Sequence, residues 1–335
     1  MRRPTVWRVA VPVLVLVVVL VAVVVLVRGA SSAPPGATAE CTVPAVTGPP
    51  VTVVVEGPQS TGAGAAGTAE VNASPTAATS VVGAPDVELS AVALQNAATI
   101  NAVGIAEGVP DRGRVIAVAT AWQESRLRNL SGGDRDSIGL FQQRPSQGWG
   151  TAAQVADPVH ASRSFYSALA EVSGWQRMSL TAAAQAVQYS AYPDAYAQWE
   201  PDATTLVRAL SGAAPMALRC RTGAQPPTAT TPVRTPVDGT APATPELRTL
   251  IAAAAAELGG VQVVSVGTDR TSAVLGTAGR ADAGVRARRL AAWLVAHATG
   301  AGVTRVTAGS QQWSPDGWSV STAVAAPGRV AVAVG

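Results

Sequence analysis

From residue 86 onward the apolar positions recur with helical spacing. In "VELSAVALQNAATINAVGIAEG" they fall three and four residues apart and the run closes on Gly, which predicts one helix with an apolar face. "PDRGRVIAVATAWQESRL" repeats the period, with Asp111 as N-cap and Val115, Ile116, Ala119 and Trp122 turned inward. "DPVHASRSFYSALAEV" places Asp157 at the N-cap and Pro158 at the first helical position, where a missing N–H leaves nothing unpaired. "SLTAAAQAVQYS" and "PDATTLVRAL" predict two further helices, the last stopped by Ser211 and Gly212. Between Leu127 and Asp157 about thirty residues carry no period. A loop that long inside a compact domain is usually functional.

Beyond residue 245 the pattern alternates. "ELRTLIAAAAAELGG" and "GVRARRLAAWLVAHATGAG" read as helices, and "VQVVSVG", "VTRVTAG", "GWSVSTAV" and "RVAVAV" as strands of a small antiparallel sheet. At the other end, residues 9–27 are an uncharged apolar run following Arg2, Arg3 and Arg8. Nineteen helical residues rise about 28 Å, close to the hydrocarbon thickness of a bilayer. The run predicts a single-pass anchor in the cell membrane with its N-terminus inside, although Arg28 on the far side blunts the charge asymmetry and the same run also fits a cleaved export signal. Either way the bulk of the chain is expected outside the cytoplasm. The fold expected is therefore an N-terminal transmembrane helix, a mainly α domain and a small α+β C-terminal domain. The expected divisions are 1–28 (tail and anchor), 29–85 (a flexible Ala/Thr/Pro/Gly tether), 86–220 (the α domain), 221–245 (a Pro/Thr-rich linker) and 246–335 (the α+β domain).

Composition narrows the function classes. Every basic residue other than His is Arg, the net charge is +3 and the pI is near 9.3. That balance, with no Arg cluster interleaved with aromatics, argues against nucleic acid. Cys41 and Cys220 form no C-x-x-C pair, so a zinc site on them is not expected. In an oxidising compartment they read as one disulfide, the alternative being two free thiols. No cofactor is implied.

The stretch "AWQESRLRNLSGGDRDSIGLFQQRPSQGWG" carries the candidate chemistry. Glu124 ends an apolar helix beside Trp122, and both burial and the negative end of the helix favour the proton-donating form of a carboxyl at such a place. A protonated Glu facing a sugar groove is the general acid of glycoside cleavage. Of the chain's fourteen aromatic residues, ten lie between Trp122 and Trp199, where rings can stack on pyranose faces or form the core. Gln142, Gln143, Gln147 and Gln188 offer amides for hydroxyl and acetamido groups. A solvated helix-end carboxylate would be the ordinary reading of Glu124 alone.

The order of the pieces adds weight. "ES" at Glu124–Ser125 and "SIGLFQ" at 137–142 resemble the E-S … S-x-G-L-M-Q pattern of soluble lytic transglycosylases and goose-type lysozymes. The longer string resembles an actinobacterial branch of that superfamily, over about residues 87–220. "AVQYSAYPDAYAQWE" follows where those enzymes carry an A-Y-N-type motif, here departing to "QYS". The resemblance implies a lysozyme-like domain with Glu124 as the single acid/base. Ser125 or Ser137 would bind substrate or position Glu124. The turn from Gly139 through Phe141 to Gln142 would form the groove floor, Gln143 would bind substrate beside it, and Tyr189 and Tyr192 would stand near the third motif. The implied substrate is the β-1,4 bond between N-acetylmuramic acid and N-acetylglucosamine in peptidoglycan strands. A lone Glu suits a transglycosylase; hydrolysis by inversion needs a second carboxylate roughly 6.5–9.5 Å away, for which Asp134 and Asp136 are the candidates, unless they simply form the turn "GGDRDS".

"RRLAAWLVAHATGAGVTRVTAGSQQWSPDGWSV" resembles the C-terminal part of zinc-dependent D-alanyl-D-alanine carboxypeptidase-like domains. The His residues of that pattern are missing: the chain has only His160 and His297, so a degenerate domain binding no metal is expected. Asp269, Asp282 and Asp316 fall in turn-like sequence, and Trp313 and Trp318 are candidates for either core or a wall-binding patch. The whole reads as a membrane-anchored, peptidoglycan-cleaving glycosidase. The alternative is a non-catalytic glycan-binding or cell-wall scaffold protein.

Overall fold

The computed structural model describes residues 40–45, 86–189, 193–221, 243–277 and 282–335. The proposed anchor at 9–27 with its flanking arginines, the tether apart from residues 40–45, most of the linker and Tyr192 lie outside the described residues.

Residues Glu40–Val43 form β1, the middle strand of a three-stranded antiparallel sheet. Its neighbours are β2 (Val87–Ser90) and β3 (Arg219–Arg221). The helix expected from Val87 therefore starts four residues later, as α1 (Ala91–Ala106). Val87 pairs with Val43 in the sheet, both buried, and the Ser90 hydroxyl accepts the Ala93 N–H, which starts the helix there. Cys41 lies directly opposite Cys220 in the β1–β3 ladder and is disulfide-bonded to it.

The next helix, α2 (Asp111–Ser125), is the axis of this half. Every residue from Gly113 to Trp122 is buried, so it packs on all sides rather than along one stripe. Its N-cap is Pro110, and Asp111 is the first helical residue, paired with Arg114. Arg114 is itself buried, donating to Asn101 Oδ1 (2.7 Å), Ser211 Oγ (2.7 Å) and the Val109 carbonyl (3.2 Å). Burial pulls the guanidinium below its ordinary pKa, and Asp111 opposes the shift. The short α3 (Ala152–Val155) packs on α4 (Pro158–Glu171), and α4, α5 (Leu180–Gln188) and α6 (Glu200–Leu210) stand against α2. As expected, Asp157 caps α4 and Pro158 opens it.

The C-terminal residues supply α7 (Pro245–Leu258), β4 (Val261–Val266), β5 (Ser272–Thr277), α8 (Ala283–Ala296), α9 (Ala298–Ala301), β6 (Val303–Ala308), β7 (Gln311–Ser314), β8 (Gly317–Val320) and β9 (Arg329–Val334). The sheet is antiparallel throughout, in the order β4-β5-β9-β6-β7-β8. Sequence patterning missed β5 and β7: β5 contains a Gly and β7 begins with two glutamines, so neither stands out as a β-branched run. The apolar face of α8, including Leu290, Trp293 and Leu294, packs on β5, β6 and β9.

These findings correct the expected fold class. The described residues hold nine α-helices and two antiparallel sheets, of three and six strands, and no helix among them is long and apolar enough to cross a membrane. Nor does the α+β half stand apart: the described residues from 40 to 335 belong to one compact unit. Helix α1 is packed by α2 and α4 on the N-terminal side and by α7 and α8 from the C-terminal half. Polar contacts tie the halves as well. Arg288 Nε donates to the Gly212 carbonyl at 2.9 Å, and the Trp318 indole N–H donates to the Leu218 carbonyl at 2.9 Å. Trp318 is thus partly buried and Trp313 fully buried, which removes the pair as an exposed wall-binding patch. Buried at the junction, Glu257 accepts the Trp293 indole N–H at 2.7 Å, and His297 stacks on the Trp293 ring with centroids 3.8 Å apart.

Candidate active site

Helix α2 ends at Ser125 because Arg126 and Leu127 both adopt left-handed backbone (φ 57° and 58°), turning the chain into the long loop. Two successive non-Gly residues in that region are costly, roughly 1–3 kcal/mol each, and persist only where the surroundings hold them. Here the Leu127 side chain is buried and its carbonyl accepts Asn96 Nδ2 at 2.7 Å. The turn leaves Glu124, half-buried, on the wall of a groove of about 820 Å³.

The loop forms the facing wall. Ser125 does not reach the groove: it is buried and donates to the carbonyls of Leu140 (2.7 Å) and Ala121 (3.0 Å), fastening the loop to the helix that carries Glu124. At Gly139 φ is 81° and an added Cβ would lie 2.6 Å from the Val155 carbonyl, so only Gly fits the tight turn of the floor. Its N–H donates to Leu130 and its carbonyl accepts Gln142 Nε2 at 3.1 Å. Phe141 is fully buried and stacked on Phe165 at 4.7 Å, so it belongs to the core beneath the floor. Ser137, Gln142 and Gln143 line the groove, and Gln143 is anchored through Nε2 to the Ala161 carbonyl at 3.2 Å. Gln188 lines it too, donating to the Phe141 carbonyl at 2.7 Å and so tying α5 to the loop.

The two candidate second carboxylates separate. Asp136 accepts the Ser146 N–H (2.8 Å), Arg144 Nε (2.8 Å) and the Ser146 hydroxyl (3.0 Å). Those bonds, the Ser146 amide foremost, hold its carboxyl well below the usual carboxylate range. Such a group clasps the loop and is a poor proton acceptor at neutral pH. Asp134 is exposed and lines the groove with Glu124.

Tyr189 also lines the groove, 85% exposed and in left-handed backbone (φ 52°) at the end of α5. The contact that organises Glu124 comes from a residue the sequence reading did not select. Tyr196, fully buried in the 3-10 segment Pro193–Trp199, donates its hydroxyl to Glu124 Oε1 at 2.7 Å. The same segment ends at Trp199, whose indole N–H donates to Gln123 Oε1 at 2.8 Å. Its ring lies parallel to Trp122 (centroids 5.3 Å apart, 8°), with the Arg126 guanidinium 4.4 Å from the ring centroid. The Tyr-rich string did mark this segment. Choosing its third tyrosine needed the 3-10 geometry, which sequence spacing does not give.

Elsewhere, Asp269 accepts the Thr271 and Ser272 N–H groups in a turn, Asp282 precedes α8, and Asp316 is exposed in the β7–β8 turn. Among the described residues no group of three or more His, Cys, Asp or Glu side chains is placed to hold a metal ion. No protein-family model matches the chain, and no curated protein does.

Proposed function

We propose that this protein is a peptidoglycan-cleaving glycosidase of the lysozyme-like kind, acting outside the cytoplasm with Glu124 as its single acid/base. The observation that carries the reading is the Glu124 carboxyl, half-buried on a groove wall and held at Oε1 by the buried Tyr196 hydroxyl. In glycoside cleavage the acid gives its proton to the leaving glycosidic oxygen and becomes a carboxylate as the bond breaks. The Tyr196 hydroxyl donates to the oxygen that gains this negative charge, an interaction that strengthens along the reaction. The amides of Gln142 and Gln188 and the rings of Tyr189 and Trp149 suit a neutral, hydroxyl- and acetamido-bearing polymer. The E-S and G-L-F-Q segments, which resemble those of lytic transglycosylases and goose-type lysozymes, supply the substrate: the bond between N-acetylmuramic acid and N-acetylglucosamine. With Asp136 clasped, Asp134 is the remaining carboxylate candidate for a hydrolytic route. The Cys41–Cys220 disulfide favours an oxidising compartment.

The test is Glu124→Gln, nearly isosteric and unable to donate the acid proton. General acid–base help is worth about 10²–10⁴-fold, and cleavage of purified peptidoglycan is expected to fall by at least that range's lower end. Mass spectrometry of the products separates transglycosylase from hydrolase, since a 1,6-anhydro end is one water lighter than a reducing sugar. A Gln variant that digests peptidoglycan at the wild-type rate removes the assignment.

A further inference from the structure

We infer that Trp199 is a positioning residue for Glu124, acting through Tyr196. The inference rests on the acid/base reading of Glu124. The last turn of α2 and its C-cap carry the proposed acid and the three side chains that grip the Trp199 indole: Trp122 stacked on the ring, Gln123 at the N–H, and the capping Arg126 with its guanidinium 4.4 Å from the ring centroid. Stacking, a hydrogen bond and a cation–π contact thus fix one side chain from three directions. Trp199 is the last residue of the 3-10 segment, three residues beyond Tyr196. Three residues complete one 3-10 turn, so fixing the end of the segment fixes the height and direction of the tyrosine. Helix α2 therefore holds the device that aims a hydroxyl back onto its own carboxylate, at 2.7 Å.

Nothing in this arrangement needs Trp199 to touch substrate. A contact with the glycan would make its loss felt in binding, whereas a clamp acts on the chemical step. Misplacing a reacting group by about 1 Å can cost roughly 100-fold without any change at the point of contact. Trp199→Phe keeps a ring for Trp122 and Arg126 to contact but removes the indole N–H; Trp199→Ala removes both.

The test is a double-mutant cycle on the full chain with Tyr196→Phe, reading kcat and KM on soluble peptidoglycan strands. Trp199→Ala is expected to lower kcat by about 10- to 100-fold, and Trp199→Phe by less, with KM changing less than about twofold. In the Tyr196→Phe background either Trp199 substitution should cost less than about twofold more, because there is no longer a hydroxyl to aim. Multiplicative losses, or a KM that rises as kcat falls, would overturn the inference and make Trp199 a structural or substrate-contacting residue. Thermal melts of each variant identify a loss of fold, and Trp199→Phe keeps the cycle usable if Trp199→Ala does not fold. Glu124→Gln in parallel separates the two failures: if it is inactive while the cycle is multiplicative, the clamp fails alone; if it is fully active, the acid assignment fails.

Discussion

Replacing Glu257 by Gln separates two proton equilibria that oppose each other at the junction of the two halves. Burial pushes the Glu257 carboxyl up to about 7 from 4.5, against the Trp293 and Thr99 hydrogen bonds, and nearby Asp157 adds to the rise. Burial pushes His297 down to about 4 from 6.5. Its Nδ1 lies 2.8 Å from the Trp293 carbonyl, which can only accept, so Nδ1 carries the proton of the neutral ring. Its Nε2 faces Thr99 Oγ1 at 3.5 Å and Glu257 Oε2 at 3.8 Å. The raised Glu257 value contributes stability that is full below pH 4.5 and is lost as pH rises through about 7. The depressed His297 value contributes stability present above pH 6.5 and lost as pH falls through about 4. Between pH 4.5 and 6.5 the folded pair binds one proton in total, and so does the unfolded pair, so their slopes cancel. Glu257→Gln leaves His297 alone. Relative to wild type, its unfolding free energy should then fall by roughly 1.4 kcal/mol for each pH unit from about 7 down to 4.5, and the difference should level off near about 3 kcal/mol below that. His297→Gln should show the mirror image, losing stability relative to wild type as pH rises from about 4 to 6.5. The assay is urea unfolding followed by tryptophan fluorescence at a series of pH values with the disulfide intact, the difference from wild type cancelling all groups common to both. A Glu257→Gln profile that runs parallel to wild type from pH 4.5 to 6.5 would refute a neutral buried pair.

Two further outcomes follow from the described geometry. Gly139→Ala should destabilise the protein by roughly 1–3 kcal/mol and loosen the groove floor, because φ is 81° and the new methyl would meet the Val155 carbonyl at 2.6 Å; chemical denaturation with unchanged stability would contradict this. Paired Cys41→Ser and Cys220→Ser substitutions should lower stability by up to about 5 kcal/mol, since the bridge spans 179 residues, with calorimetry of oxidised wild type as the comparison.

Helix positions were legible where capping chemistry and period agree. Asp157 and Pro158 start α4 because an acceptor side chain and a preset φ are needed there and nowhere else nearby. Glu124 at a helix end and the unpatterned loop after it were likewise visible, because a 15-residue helix stopping before a Gly- and Asp-rich run leaves little choice about where its last turn lies. Val87–Ser90 was misread as helix because its partner strand is more than forty residues away and pairing energy is non-local. The directions of the Ser125 and Phe141 side chains were not legible for a related reason. Both stand in motif order beside groove residues, yet the first faces a carbonyl and the second faces the core, and sequence order does not state direction.

By itself, then, the sequence determined the helices with strong caps, the position of one carboxylate on the last turn of α2, and the two cysteines available for a bridge. Tertiary structure alone decided that Cys41 sits opposite Cys220 in a shared ladder, that α1 is packed by both halves, and that Asp136 is bound by Arg144 and Ser146 while Asp134 stays on the groove. It also chose Tyr196 among the tyrosines to hold Glu124 across 72 residues of chain. The physical reason is the range of the forces: caps and turn preferences act within a few residues, whereas hydrogen bonds between distant segments exist only once burial has brought those segments together.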